Sequence, residues 1–412
     1  MSLAKPIQTN ERAAILDVLR GFAIFGIFIM NLYAFSFGWA MSPEQKAALT
    51  LARFDGTTMF IQHMFFEGKF YSLFSMLFGI GFSIYLAKTD LDKNILGLFK
   101  RRLLILLGIG FLHLLLWTGD IVAFYAMLGF VLIPFRKFSN KTLLIIAACF
   151  ILSPILWYSL KFWKPEIFDL SRWLYKSGEY LEAKAGYHSL NEVIKDLSGD
   201  NIFKMIKLNL IGIFWRYGDL VFQSRAFKVL GMFLIGLVIG RTQLYNKLKE
   251  NKKLLWKIAA AGLVIGLPAN YILASLNEIH SEEVFSMHGL KETIAYAFGV
   301  APLALGYAAA ISLLYLSPAQ KIFNLLAPVG RMALTNYITH TLIGLFVFTK
   351  LGLDVTNWGP AACSIFAVAV FLLQIMLSTA WLKYFNYGPL EWIWRMLTYG
   401  HRLPILKTEI RD

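Results

Sequence analysis

Cysteine is almost missing. Cys149 and Cys363 are the two that occur in 412 residues, and both sit inside apolar runs, which gives no support to a disulfide framework or a cysteine metal site. Charge is thin as well: 16% of residues, with 25 Asp and Glu against 40 Lys and Arg. Beside 58% hydrophobic residues, so little charge makes the chain far too apolar for a soluble domain of this length. No G-x-x-x-x-G-K-S/T is present, so transport driven by nucleotide hydrolysis within this chain is set aside. No H-E-x-x-H, paired His/Cys spacing or carboxylate cluster appears either, and no catalytic metal is expected.

What is abundant is apolar and aromatic, with 35 Phe and 11 Trp and a mean hydropathy of +0.59. The composition predicts an all-α, polytopic transmembrane helix bundle. The net charge of +15 could point to nucleic acid, but Lys and Arg fall in short clusters between apolar runs instead of along one amphipathic face, so nucleic acid is not an expected partner. Runs long enough to cross about 30 Å of hydrocarbon lie at 13–36, 69–87, 101–117, 120–135, 142–162, 224–241, 254–275, 297–316, 330–349 and 359–382. About ten spans follow, the third and fourth joined by a tight turn. The clusters Lys100-Arg101-Arg102, Arg136-Lys137-Lys141, Arg241 to Lys257, Lys321 and Arg395 to Arg411 fall on one side of such a bundle. The positive-inside rule makes that side cytoplasmic, with both termini inside and the chain a multi-pass protein of the cell inner membrane. A cleavable signal peptide is not expected, because the first run carries Arg20 and exceeds an h-region.

The chain thus divides into a five-span half at 1–162, an extracytoplasmic loop at 163–223 and a second five-span half at 224–412. Within the loop, NIFKMIKLNLIGIFW could lie in the interface as a helix, since Lys204 and Lys207 are one turn apart. Pro134, Pro154, Pro268 and Pro302 are positions where helices could break around a midplane site.

Charged residues near mid-bilayer cost about 2.5–3.5 kcal/mol on insertion scales, so they usually face a protein interior or a watery cavity with a partner. The first run, LDVLRGFAIFGIFIMNLYAF, holds three such polar residues. The step from Arg20 to Asn31 is close to three helical turns, which leaves both on one face about 16 Å apart. Asp17 is one turn before Arg20, within ion-pair reach. Simple pairing of Asp17 with Arg20 at the inner interface, and Asn31 as glue between helices, are the competing readings. His113, near the outer end of the third span, is followed across the tight turn by Asp120, which can orient the imidazole as a general base requires. His340 in the ninth span, with Arg331 below it, and His63, with Glu67 and Lys69 close by, are the further candidates. His188, His280, His288 and His401 fall in predicted loops.

LDVLRGFAIFGIFIMN, FFEGKFYSLFSMLFGIGF, KRRLLILLGIGFLHLLLWTGDIVAFYAMLGF, GRMALTNYI and FLLQIMLSTAWLKYFNYGPLEWIWRMLTYG together resemble the YeiB-like family of bacterial inner-membrane proteins, whose C-terminal half is a domain of unknown function. The blocks run in order from 16 to 400, and Gly388-Pro389-Leu390-Glu391-Trp392 followed by Trp394-Arg395 is the most specific of them. His340 departs from that family's pattern, in which a glutamine is expected. The first run also resembles, more distantly, transmembrane acyltransferases: the lysosomal heparan-glucosaminide N-acetyltransferase and the enzymes that acylate bacterial surface polysaccharides. The latter group typically opens with L-D-x-L-R-G and a histidine eleven residues after the arginine, as part of the acyl-CoA site. Here that histidine is Asn31.

The resemblance implies acyl transfer from cytoplasmic acyl-CoA to a glycan or small-molecule acceptor at the outer face. In that reading His113 and Asp120 are catalytic, and Arg20, Asn31, Arg331 and Arg395 bind the co-substrate. No bound cofactor is expected, the lipid bilayer is the standing partner, and a homo-oligomer is left open. A secondary transporter using the same buried His, Asp and Arg residues is the alternative, and a non-catalytic scaffold or sensor is a third.

Overall fold

The computed structural model describes residues 13–86, 94–277 and 285–407; both chain ends and His280 lie outside them. The described chain is helical, and its only extended pairings among the described residues are isolated bridges, Thr50 to Trp358 and Phe385 to Leu406. With the shortest turns left unnumbered, the first half contains α1 (Ala14–Phe35), α2 (Asp55–Phe65), α3 (Lys69–Leu86), α4 (Asn94–Leu114), α5 (Val122–Leu132) and α6 (Asn140–Trp163). Next come α7 (Ser171–Lys184), α8 (Leu190–Leu197), α9 (Ile202–Phe222) and α10 (Arg225–Arg241). The remainder is α11 (Lys252–Asn277), α12 (Met287–Tyr315), α13 (Ala327–Arg331), α14 (Ala333–Phe348), α15 (Pro360–Tyr384) and α16 (Pro389–Tyr399).

Each of the ten apolar runs is occupied by a helix. By length and composition, α1, α6, α11, α12 and α15 are each able to cross a membrane, and α9 with α10 forms a sixth candidate bent by 66° at its break. α14 is apolar but shorter. Local chemistry sets the ends. The Ser139 hydroxyl accepts the Thr142 N–H at the start of α6, and Asn201 accepts the N–H groups of Phe203 and Lys204 at the start of α9, donors the first turn cannot satisfy itself. Pro360 and Pro389 each open a helix directly after a glycine, where a missing N–H costs nothing.

Of the four prolines expected to break helices, Pro134 stands just past the end of α5, in the short 3-10 turn Ile133–Lys137, whereas Pro154, Pro268 and Pro302 break nothing: they sit inside continuous helices, where each removes one backbone bond that packing around it can absorb. The break falls instead at Ser224, held at φ 52° between α9 and α10. The stretch considered for an interfacial helix is the greater part of α9, which buries Met205, Leu208, Asn209 and Ile211.

α1 is central: 72% of its apolar window is buried, against 22% for α6. It packs on α3, α13, α14 and α15, while α3 packs along α10, and α11 runs beside α12. Leu156 on α6, Val264 on α11 and Met376 on α15 are 65%, 72% and 68% exposed; apolar side chains so exposed on helices of this length are lipid-facing. This is a multi-pass membrane protein. Gly330 of α13 sits so close to α1 that a side chain there would meet the Asp17 carbonyl, which sets the spacing of two elements that both carry candidate site arginines.

Candidate active site

α4 ends at Leu114, just past His113, and the chain reverses through Trp117-Thr118-Gly119 before α5 begins. That reversal brings Asp120 back against His113. One carboxylate oxygen lies 2.7 Å from His113 Nδ1; the other accepts the Ala123 N–H at 2.6 Å, in the first turn of α5. Asp120 therefore fixes a helix start and an imidazole together. An ionised carboxylate only accepts, so the proton belongs on Nδ1 and the lone pair on Nε2. That lone pair faces Thr341 Oγ1 of α14, 2.8 Å away. His113, Asp120 and Thr341 are 2%, 2% and 1% exposed. Tyr337, one turn before Thr341, sets its ring edge-on to the imidazole at 5.3 Å between centroids, and its hydroxyl takes the Ile121 N–H.

The order carboxylate, imidazole, hydroxyl is the arrangement that lets a histidine withdraw a proton from an alcohol while the acid holds its orientation. The spacing of His113 and Asp120 was legible in the sequence, but Thr341 was not. It carries no motif, and its neighbour His340 drew attention instead.

His340 lies on a different face of α14. Its Nε2 meets Gln374 Oε1 of α15 at 2.8 Å, and its ring stacks on Phe28 of α1 at 3.8 Å. Its Nδ1 is buried with no hydrogen bond among the described residues. Among the described residues it makes no hydrogen bond with His113.

On α1, Arg20 Nη1 donates to Asp17 Oδ1 at 2.7 Å, with Asp17 buried and Arg20 partly exposed. Asn31 is half-buried and makes no side-chain hydrogen bond among the described residues. The α1–α13 contact at Asp17 and Gly330 brings Arg331 to this end of α1. Arg331 Nη2 donates to the Asn386 carbonyl, and Arg395 lies 4.8 Å above the ring of Tyr387. Arg331 and Arg395 thus meet the same turn after α15.

His63, Glu67 and Lys69 are also brought together. His63 Nδ1 is 2.7 Å from Glu67 Oε2, Lys69 Nζ donates to the His63 carbonyl at 2.6 Å, and Asn277 of α11 donates to Glu67 at 3.3 Å. No group of three or more His, Cys, Asp or Glu able to hold a metal exists among the described residues.

Two of the sequence blocks prove to be one lock. Glu391 Oε1 accepts the N–H groups of Leu334 and Thr335 at 2.7 and 3.1 Å, and Oε2 accepts the Thr335 hydroxyl at 2.6 Å. The closing G-P-L-E-W motif therefore supplies a carboxylate to the first turn of α14, where orphan donors and the helix dipole favour negative charge. Trp394 Nε1 donates to the Arg102 carbonyl, and Arg102 lies 3.7 Å over the same indole. α14, which carries Thr341, is thereby tied to α16 and then to α4, which carries His113.

Residues 239–401 match the family described as "Protein of unknown function (DUF418)". Along the full length the chain is similar to the uncharacterized protein YxaH of Bacillus subtilis (strain 168), 33% identical over 99% of each chain. It is similar also to the uncharacterized protein YeiB of Escherichia coli (strain K12), 29% identical over 94% of this chain and 96% of that one. An uncharacterized 39.9 kDa protein from the amylase 3' region of Bacillus acidopullulyticus is 28% identical over 99% of both. No solved structure matches.

Proposed function

The chain belongs to the DUF418 family, and we propose that it is an acyltransferase embedded in the bacterial inner membrane, moving an acyl group from cytoplasmic acyl-CoA to an acceptor hydroxyl or amine at the outer face. The observation that carries this reading is the buried line Asp120–His113–Thr341. The ten runs are ten crossings in this account, with the basic clusters and both termini cytoplasmic and His113 toward the outer side.

His113 Nε2 takes the acceptor's proton as the acceptor atom attacks the thioester carbonyl. The new acyl–oxygen or acyl–nitrogen bond forms, the carbon–sulfur bond breaks, and the proton passes to the departing thiolate, leaving free CoA and acylated acceptor. Asp120 stabilises the imidazolium in between. Thr341 holds Nε2 until the acceptor displaces its hydroxyl. Arg20, Arg331 and Arg395, on the basic side, suit the phosphates of CoA, since guanidinium groups recognise phosphate through paired donors. Asn31, without a fixed partner on α1, is free to donate to the thioester oxygen as charge develops there. The distant resemblance of the first span to transmembrane acyltransferases supports the same assignment. Purified protein with radiolabelled acetyl-CoA should release free CoA slowly or transfer label; silence with several acyl-CoAs of different chain length refutes the proposal.

A second reading, a secondary transporter for a small solute, draws on the 66° break between α9 and α10, since broken helices often frame substrate sites in transporters. Solute flux in liposomes without acyl-CoA consumption would favour it.

A further inference from the structure

A second set of charged side chains, unused above, collects at the α9–α10 break. Lys161 of α6 is fully buried, and its Nζ donates at 2.6 Å to the Phe222 carbonyl, the last residue of α9. Arg225 opens α10 with its guanidinium 4.4 Å over Tyr71, and Lys228, one turn on, lies 3.7 Å over Tyr296. The two tyrosine hydroxyls are 2.7 Å apart. Lys69 is fully buried beneath. Arg216, on α9 before the break, is within electrostatic reach of Arg225 and of Asp120.

Five basic side chains thus share one region, and among the described residues none of them forms an ion pair within 4.0 Å. Glu67, the carboxylate that acts on Lys69, Arg225 and Lys228, is already held by His63 and Asn277. The Nε atoms of Arg216 and Arg225 are buried with no hydrogen bond. Arg225 Nη2 donates to Gln223 Oε1, so what is left unused at the break is the buried Nε donor of each guanidinium, and an unused buried donor costs free energy until an acceptor arrives. Arg216, Arg225 and Lys228 are themselves only partly buried, so a ligand can reach them.

We infer that Arg216, Arg225 and Lys228, with the N-terminus of α10, form a binding site for a phosphate ester. Two guanidinium forks and a helix N-terminus are the donors that phosphate oxygens take, while Lys161 and Lys69 brace the flanking backbone and add to the field. An open groove of about 530 Å³, lined among others by Leu104, Leu107, Phe111, Met127, Ile213 and Tyr217, lies along the same helix α9, with Tyr217 next in sequence to Arg216. It is apolar, which suits the chain of a lipid whose phosphate rests at the break. The site stands on its own geometry and does not require acyl transfer.

The test uses the purified full-length chain in detergent, with thermal shift and native mass spectrometry as readouts. The probes are dioleoyl phosphatidic acid, glycerol phosphate and, as a tail without phosphate, dioleoylglycerol. At least one phosphate compound should raise the melting temperature and dioleoylglycerol should not. A shift with glycerol phosphate equal to that with phosphatidic acid identifies a free phosphate ester; a shift with the lipid alone brings the groove into the site. Arg225→Gln and Lys228→Met should each weaken binding about tenfold or more. If Arg225→Gln does not fold, Lys228→Met carries the comparison. No shift with either phosphate compound, or wild-type binding by a folded Lys228→Met chain, overturns the inference. A phosphate shift retained in a protein inert toward acyl-CoA would leave this site standing while removing the acyltransferase.

Discussion

His113 Nε2 and Thr341 Oγ1 lie 2.8 Å apart, joining the end of α4 to the middle of α14 across 228 residues of chain. In the proposed acyl transfer the hydroxyl occupies the place where an acceptor presents its proton. Thr341→Val keeps the shape and removes a hydrogen bond that the acceptor must first displace, so transfer should quicken by about two- to tenfold, in line with about 0.5–1.5 kcal/mol for one such bond. Thr341→Ser should stay near wild type. Equal rates for the valine and serine variants would show that the hydroxyl has no part in holding His113.

His340 should prove replaceable. Its Nδ1 has no partner among the described residues and its Nε2 meets only the Gln374 side chain, so His340→Gln should retain activity and change stability by no more than about 1.5 kcal/mol. Loss of transfer in a folded His340→Gln protein would move the catalytic assignment away from His113.

The lock between Glu391 and α14 is a matter of stability. Glu391→Ala leaves the Leu334 and Thr335 donors without their acceptor, which should destabilise the protein by about 1–3 kcal/mol; Glu391→Gln, which keeps one acceptor, should lose less. Melting in detergent orders the three proteins. An alanine variant as stable as wild type would show that the cap is not needed.

Much of this was open to a reader of the sequence, and the reasons are local. Ten apolar runs became helices because a long apolar stretch has few other ways to satisfy its backbone, even where it carries Pro154, Pro268 or Pro302; five, or six with the bent pair, are long and apolar enough to cross a membrane. His113 and Asp120 could be paired because seven residues with a glycine between them make a turn. Asp17 and Arg20 pair for the same local reason. What stayed hidden is non-local. Thr341 is one hydroxyl among several on α14, and only the fold turns it toward α4. Glu391 announced itself as part of a motif, yet its partner at Thr335 is 56 residues away. Arg216, Arg225 and Lys228 carry no motif, and only the break at Ser224 gathers them.

Outside the helices that cross the membrane, acidity should loosen the small helix α8. Asp196 is held below the usual carboxylate range by the Tyr187 hydroxyl and by Lys204 of α9. A depressed pKa contributes stability that is present above the unfolded value and lost as pH falls through the folded one. Amide exchange over 190–197, corrected for intrinsic rate, should therefore quicken below pH about 4. In Asp196→Asn it should be fast at every pH. A wild-type α8 whose protection is constant down to pH about 2 would contradict this.

The central claim is that His113, oriented by Asp120, removes the acceptor's proton. Its most direct test is release of free CoA from radiolabelled acetyl-CoA by wild-type and His113→Ala protein in lipid nanodiscs, with matched melting curves showing both to be folded. The account predicts turnover by the wild type and a loss of about a hundredfold or more in the variant. Turnover by folded His113→Ala at the wild-type rate would contradict it.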